Sequence, residues 1–326
     1  KAGKADEAVE SFDAAIGLYP MNAQILELKG DAIIESGKKE EALSAYLLAL
    51  SLPAAQPDLF MKAGNLSLRK GHYSDALSSF SRVSEMHPAS TAPLEGIAAA
   101  HFGLGAFGQA GDALKRALEL DSRNVTLMVL VGDSLRLQIR YDEALEIYDT
   151  AVSITPGIPR AWEGKGIIYL EEGDCASAIS SFKRAVSYDN SRKEIWERTG
   201  DAYRLCKEYD EATRAYDQAL AIDPSDPGIL MKKKVNLQTS GGYPGVAHVC
   251  DQLLASDPGN KDLLLEKADA LARTRNYDEA IEVFDLLIRQ DTVNISLFLG
   301  KGDVYYRYGR YEDALRVYKE AYRIDP

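Results

Sequence analysis

Apolar side chains fall at the spacing of helix faces along the whole chain, and residues 193 to 226 show it most clearly. Trp196, Gly200 and Tyr203 recur at i, i+4 and i+7, which places them on one face of a first helix. Ala212, Tyr216 and Ala219 do the same for a second helix. Between the two runs, Lys207-Glu208-Tyr209-Asp210-Glu211 is polar and predicts a turn, with Asp210 and Glu211 at the positive end of the second helix dipole. Asp223-Pro224 predicts its end, because proline has no amide hydrogen to donate and disfavours helical geometry at the residue before it.

This pattern returns every 34 residues with no insertion or deletion. A small residue recurs at Ala8, Ala42, Ala76, Ala110, Ala144, Ala178, Ala212, Val246, Ala280 and Ala314. Four positions later comes a large, mostly aromatic one: Phe12, Tyr46, Phe80, Leu114, Tyr148, Phe182, Tyr216, Cys250, Phe284 and Tyr318. A fixed period of this length predicts stacked helix pairs, so the fold class is all-α and length counts repeats instead of domains. The chain reads as one solenoid: a half repeat at 1–20, then full repeats at 21–54, 55–88, 89–122, 123–156, 157–190, 191–224, 225–258, 259–292 and 293–326. Small residues at Gly200 and Ala212 permit close helix crossing, while Trp196 and Tyr216 fill the space alongside; Trp162 and Trp196 are therefore expected in the core.

Trp196-x2-Thr199-Gly200-x2-Tyr203, Ala212-x3-Tyr216 and Pro224 resemble the tetratricopeptide repeat family. Trp162-x2-Lys165-Gly166-x2-Tyr169 with Ala178-x3-Phe182 matches as well, although Lys165 and Thr199 replace the usual leucine and Asn190 the usual proline. The resemblance implies an alpha-alpha superhelix, a right-handed solenoid of antiparallel helix pairs. Its first helices would line a concave groove that receives an extended peptide or a partner helix.

Mapped onto this chain, the groove positions implied by the resemblance begin with Glu27, Asp31, Met61, Asn65, Glu95, Ala99, Val129, Asp133, Glu163 and Ile167. They continue with Glu197, Asp201, Met231, Val235, Leu265, Asp269, Leu299 and Asp303. One turn further come Ile34, Leu68, Phe102, Arg136, Leu170, Arg204, Gln238, Ala272 and Tyr306. The lining reads as acidic with apolar steps. Family members that bind the acidic C-terminal tails of heat-shock chaperones use a lysine and asparagine clamp, but the lysine positions here hold Glu27, Met61, Glu95 or Glu163, and only Asn65 fits. A basic or mixed-charge protein or peptide segment is expected instead, held by Met61, Phe102, Met231 and Tyr306. Asp133 with Arg136 and Asp201 with Arg204 are i, i+3 neighbours, so part of the acidity is open to neutralisation within one helix.

The 326 residues carry a formal net charge of −12, which argues against nucleic acid as the main partner. No apolar run is long enough to span a membrane and no leader opens the chain, so the expected location is the cytoplasm, with the reservation that the N-terminus falls inside a repeat. Cys175, Cys206 and Cys250 have no CxxC spacing and read as reduced and unpaired; the four histidines lack i, i+4 pairing. No catalytic, cofactor or metal motif is present, and acidic pairs such as Glu171-Glu172 and Asp142-Glu143 read as solvated helix surface or helix-start charge. Lys232-Lys233-Lys234 is the one basic triplet, either a solvated face or a dock for an acidic partner.

Two places break the pattern. Residues 227 to 260 carry Lys234 for glycine, Val246 for alanine and Cys250 for an aromatic, which predicts looser helix packing, read either as a hinge or change of curvature or as tolerated drift in one unit of a redundant array. Gly108 and Gly111 fall inside an expected second helix and each weakens it by about 1 kcal/mol relative to alanine. At the ends, Leu315 and Tyr322 occupy positions that face a following repeat, which points to a fragment of a longer protein or to end-to-end homo-association. The function expected is a non-catalytic interaction scaffold; the alternatives are the regulatory part of a larger enzyme and a self-associating structural module.

Overall fold

The computed structural model describes residues 2–20, 22–52 and 56–324. Among these there are nineteen helices and no strand. They are α1 (Ala2–Leu18), α2 (Ala23–Glu35), α3 (Lys39–Leu50), α4 (Pro57–Lys70), α5 (Tyr73–Met86), α6 (Thr91–Gly103), α7 (Phe107–Leu120), α8 (Val125–Leu137) and α9 (Tyr141–Ile154). Then follow α10 (Pro159–Glu171), α11 (Cys175–Tyr188), α12 (Lys193–Leu205), α13 (Tyr209–Ile222) and α14 (Pro227–Ser240). The last are α15 (Tyr243–Leu254), α16 (Lys261–Arg273), α17 (Tyr277–Gln290), α18 (Ile295–Tyr308) and α19 (Tyr311–Ile324). Two compact units result, Lys1–Gly164 and Lys165–Pro326.

Helix starts are set by short polar side chains that take orphan amide hydrogens. Asn22, Asn124, Asp174, Asp226 and Asn260 each accept from a backbone N–H two or three residues on. Within each pair the turn depends on one left-handed residue, at Gly37, Gly71, Gly105, Gly173, Gly241 and Gly309. Ile139, Lys207 and Arg275 hold the same register with φ of 62° to 65° and bear the strain that glycine avoids.

The core is the predicted small and large series. Ala212 and Tyr216 are fully buried, and a Cβ added at Gly200 would sit 2.6 Å from the Tyr216 ring, so no larger residue fits that crossing. Trp162 and Trp196 are only half-buried, each ring nitrogen donating to the carbonyl six residues back, at Pro156 (2.9 Å) and Asn190 (3.0 Å). Their rings therefore pack with one edge toward solvent instead of lying wholly inside.

The expected loose repeat is tightly packed. Lys234, Val246 and Cys250 are all buried, because this repeat reverses the usual arrangement: a long side chain on the first helix enters the space that a small Cys250 leaves on the second. Lys234 Nζ ends 2.6 Å from Glu266 Oε2 on α16, and Gln238 donates to the same oxygen at 2.9 Å. Burial pushes the Cys250 thiol up to about 11. Gly111 also has a packing reason, since Ser134 on α8 lies against it and donates to the Phe107 carbonyl at 2.8 Å.

The cysteines are not all reduced, contrary to the expectation from their spacing. Cys175 and Cys206 form a disulfide across 31 residues, with Cα atoms 5.7 Å apart, while Cys250 is free and buried. A search for closely spaced cysteines misses it, because the repeat register brings the first residue of one second helix against the end of the next first helix. Reduced cysteines thus give no support to a cytoplasmic location. No helix among the described residues is long and apolar enough to cross a membrane.

Candidate partner-binding site

The first helices present the mapped positions in two different states. In the first state the carboxylates are already engaged. Tyr46, Tyr148, Tyr216 and Tyr318 donate their hydroxyls to Asp31 (2.6 Å), Asp133 (2.7 Å), Asp201 (2.8 Å) and Asp303 (2.6 Å), in each case 15 residues earlier. A cation from the following repeat takes the other oxygen of three of them: Lys62 on Asp31 at 2.7 Å, Arg160 on Asp133 at 2.7 Å and Lys232 on Asp201 at 2.6 Å. Lys62 also reaches Glu27 (2.8 Å) and Lys232 reaches Glu197 (2.6 Å). The neutralising partners of Asp133 and Asp201 therefore come from the next repeat, in addition to the nearby Arg136 and Arg204, which lie close to the Tyr148 and Tyr216 hydroxyls.

Burial, reinforced by these carboxylates, pushes the Tyr148 and Tyr216 hydroxyls far above the ordinary phenol value, so they remain donors at any physiological pH. Ion pairs this close to solvent add little stability each. Their main effect is to fix the carboxylates in place and cancel their charge.

The signal for this ladder lies in the sequence. Where the second helix carries tyrosine, the residue 15 positions earlier is aspartate; before Phe80, Leu114, Phe182 and Cys250 it is Asn65, Ala99, Ile167 and Val235. Asp269, before Phe284, is the exception, and it pairs instead with Arg273 at 2.6 Å. A second ladder runs alongside. Lys29, Lys233, Lys267 and Lys301 each reach back 16 residues to Asp13, Asp217, Asp251 and Asp285, at 2.5 to 2.6 Å. The basic triplet is thus consumed internally, with Lys232, Lys233 and Lys234 all in ion pairs.

In the second state the positions are open. Met231 and Val235 on α14, Leu265 on α16 and Leu299 and Tyr306 on α18 are exposed by 39% to 61%, large values for apolar side chains at equivalent positions of three consecutive first helices. Asp269, paired with Arg273, and Asp303, which accepts from Tyr318, lie on the same helices and are exposed. A cavity of about 250 Å³ opens beside this strip, lined by Gln238, Tyr243, Val246, Leu265, Glu266 and Asp269. Earlier in the chain the same register is less accessible: Val129, Asp133 and Glu163 are buried, and Glu27, Met61, Glu95, Phe102, Arg136, Glu197 and Arg204 half-buried, with Asn65 exposed. Phe102 lies against Phe107, centroids 6.2 Å apart. Among the described residues no group of three or more His, Cys, Asp or Glu side chains is arranged to hold a metal.

Helix pairs of fixed length in fixed register define the class of α-helical repeat proteins. Within it, this chain belongs to the tetratricopeptide repeat family: family models described as tetratricopeptide repeat match residues 1–58, 61–124, 96–159, 160–227, 240–298 and 296–326. Repeats of this family generally mediate protein–protein interaction, and scaffolds built from them are typically non-catalytic. A curated relative, the cell division cycle protein 27 homolog of Caenorhabditis elegans, is 28% identical over 85 residues, which is 26% of this chain and 11% of that protein. Among solved structures, the C-terminal part of a TPR repeat-containing protein from Cytophaga hutchinsonii matches with a TM-score of 0.57 at 16% identity, over 74% of this chain and 98% of its own. PilF of Pseudomonas aeruginosa matches with a TM-score of 0.52 at 22% identity, over 66% of this chain and 96% of its own. These two likenesses concern the fold alone.

Proposed function

We propose that the protein is a non-catalytic interaction scaffold whose partner segment lies along the first helices of the last three repeats, α14, α16 and α18. The observation that carries this reading is the exposed apolar strip of Met231, Val235, Leu265, Leu299 and Tyr306, at the register where Glu27, Asp31, Asp133, Glu197 and Asp201 are ion-paired carboxylates. Burying these side chains is favourable at about 25 cal/mol per Å² of apolar surface removed from water. The exposed carboxylate of Asp303, which accepts from the neutral Tyr318 hydroxyl, favours a segment that combines apolar residues with lysine or arginine and disfavours an acidic tail, while Asp269 is paired with Arg273. The carboxylates of Glu27, Asp31, Glu197 and Asp201, tied to Lys62 and Lys232, contribute less to recruitment than their number suggests.

Fluorescence anisotropy with two synthetic amphipathic peptides tests this, one pairing a leucine face with lysines and the other the same leucine face with glutamates. The lysine peptide is expected to bind, and Leu265→Lys with Leu299→Lys to weaken it by about tenfold or more. Asp31→Lys is expected to change binding less than about twofold. Equal or tighter binding of the glutamate peptide, or indifference to the Leu265 and Leu299 changes, refutes the reading.

A further inference from the structure

At several second helices the first residue clasps the repeat that follows. Tyr73, Phe107, Tyr141, Tyr209, Tyr243, Tyr277 and Tyr311 occupy this position, and the contacts of Tyr73, Tyr243 and Tyr277 show the clasp. Tyr277 stacks on Tyr308 at the end of α18, centroids 5.0 Å apart with planes tilted by 30°. Tyr243 lies 4.8 Å from the Arg273 guanidinium at the end of α16, and its hydroxyl accepts from Arg273 at 3.2 Å. Tyr73 packs so closely on Gly103, at the end of α6, that a side chain there would overlap the ring.

Cys175 stands at this same position in α11. Its partner Cys206 stands at the position that Tyr308 occupies three repeats later. The disulfide therefore replaces, register for register, a stacked tyrosine pair. Two thiols lack the 150 to 250 Å² that each aromatic ring would bury, so once the sulfur–sulfur bond is broken little remains to clasp α11 to α12 at this point.

Both cysteines are half-buried, so a reductant can reach them. Cys175 is also the first residue of its helix, at the positive end of the helix dipole, whereas Cys206 lies at the negative end of α12. That makes Cys175 the better leaving group.

We infer that Cys175–Cys206 is a reversible thiol–disulfide site that sets the stiffness of the α11–α12 junction, with dithiols as the class of reductant and small disulfides as the class of oxidant. A dithiol's thiolate attacks Cys206 Sγ, the sulfur–sulfur bond breaks and Cys175 leaves as thiolate. The reagent's second thiol then closes on its first sulfur and releases Cys206. The protein gains two electrons and two protons, and the dithiol becomes a cyclic disulfide. Exchange with a small disulfide such as oxidised glutathione reverses the step, leaving two molecules of the reduced thiol.

Hydrogen exchange on the full chain, with free thiols counted by alkylation and mass, tests this. Dithiothreitol is expected to free both thiols, raise exchange about fivefold or more at 174–178 and 203–209, and leave α16 and α17 unchanged. Cys206→Ser is expected to exchange like the reduced protein and ignore the reagent. Cys175→Tyr with Cys206→Tyr, copying the 277/308 pair, is expected to stay slow in either condition. Three results each overturn the inference: full reduction with exchange within about twofold of the oxidised protein, the Cys175 and Cys206 thiols both remaining free after incubation with oxidised glutathione, or the tyrosine pair exchanging like the reduced form.

Discussion

Single residues in this chain are constrained by what their counterparts 34 positions away must do. Ile139 is the sharpest conflict: a β-branched residue held at φ 62° where six repeats use glycine, and 74% exposed, so it gains little from packing. Ile139→Gly is expected to stabilise the protein by about 1 kcal/mol, read as a higher urea midpoint. The tyrosine hydroxyls act in the opposite sense. Removing the one that Asp133 accepts, by Tyr148→Phe, leaves a buried carboxylate short of a donor and is expected to cost about 1.5 to 3 kcal/mol, whereas Tyr318→Phe, beside exposed Asp303, costs less. Adding Asp133→Ile to Tyr148→Phe copies the Phe182 and Ile167 pair, and the double variant is expected to lose less than the two single losses summed. Equal losses for Tyr148→Phe and Tyr318→Phe in urea unfolding contradict this account of the ladder.

Pairs of helices carry a rule that single positions conceal, namely that the close crossing needs one small and one large partner but not a particular order. Eight full repeats put the small residue on the first helix with a larger one opposite, and α14 and α15 invert this with Lys234 over Cys250. Lys234→Gly is therefore expected to leave a cavity and destabilise by about 2 kcal/mol or more, and Cys250→Tyr alone to overpack by a similar amount. Together they rebuild the ordinary pair, and calorimetry should find the double variant more stable than either single; additive losses would show that the inversion is not a matter of volume. The helices, their turns and the small and large series were legible in the sequence, because each follows from local spacing. The inversion was not, since Lys234 and Cys250 each look like a defect until seen to fill one space. The half-burial of Trp162 and Trp196 was equally out of reach: their ring nitrogens need a carbonyl, and the one available lies near the surface.

At the scale of the whole molecule, the period named the fold and listed the candidate face, yet it treated all nine copies of that face as alike. What separates them is pairing within and between repeats, and this appears in the sequence as distances of 15, 16, 27 and 31 residues, none of which is a familiar motif. The acidic residues of the early repeats looked like a binding surface because their partners lie one repeat away. The apolar strip on α14, α16 and α18 gains its meaning by contrast with them. The ladder also limits how such a chain can grow or shrink. In-frame loss of 225–258 would move Glu266 into the place of Lys232, setting a carboxylate against Asp201, and loss of 157–190 would set Glu194 against Asp133 in place of Arg160. Loss of 89–122 strands no such partner, since Asn65 asks for no cation. The unit of inheritance is accordingly longer than the unit of structure: a repeat together with the opening of the next, so that gene duplication in this array has permitted seams and forbidden ones.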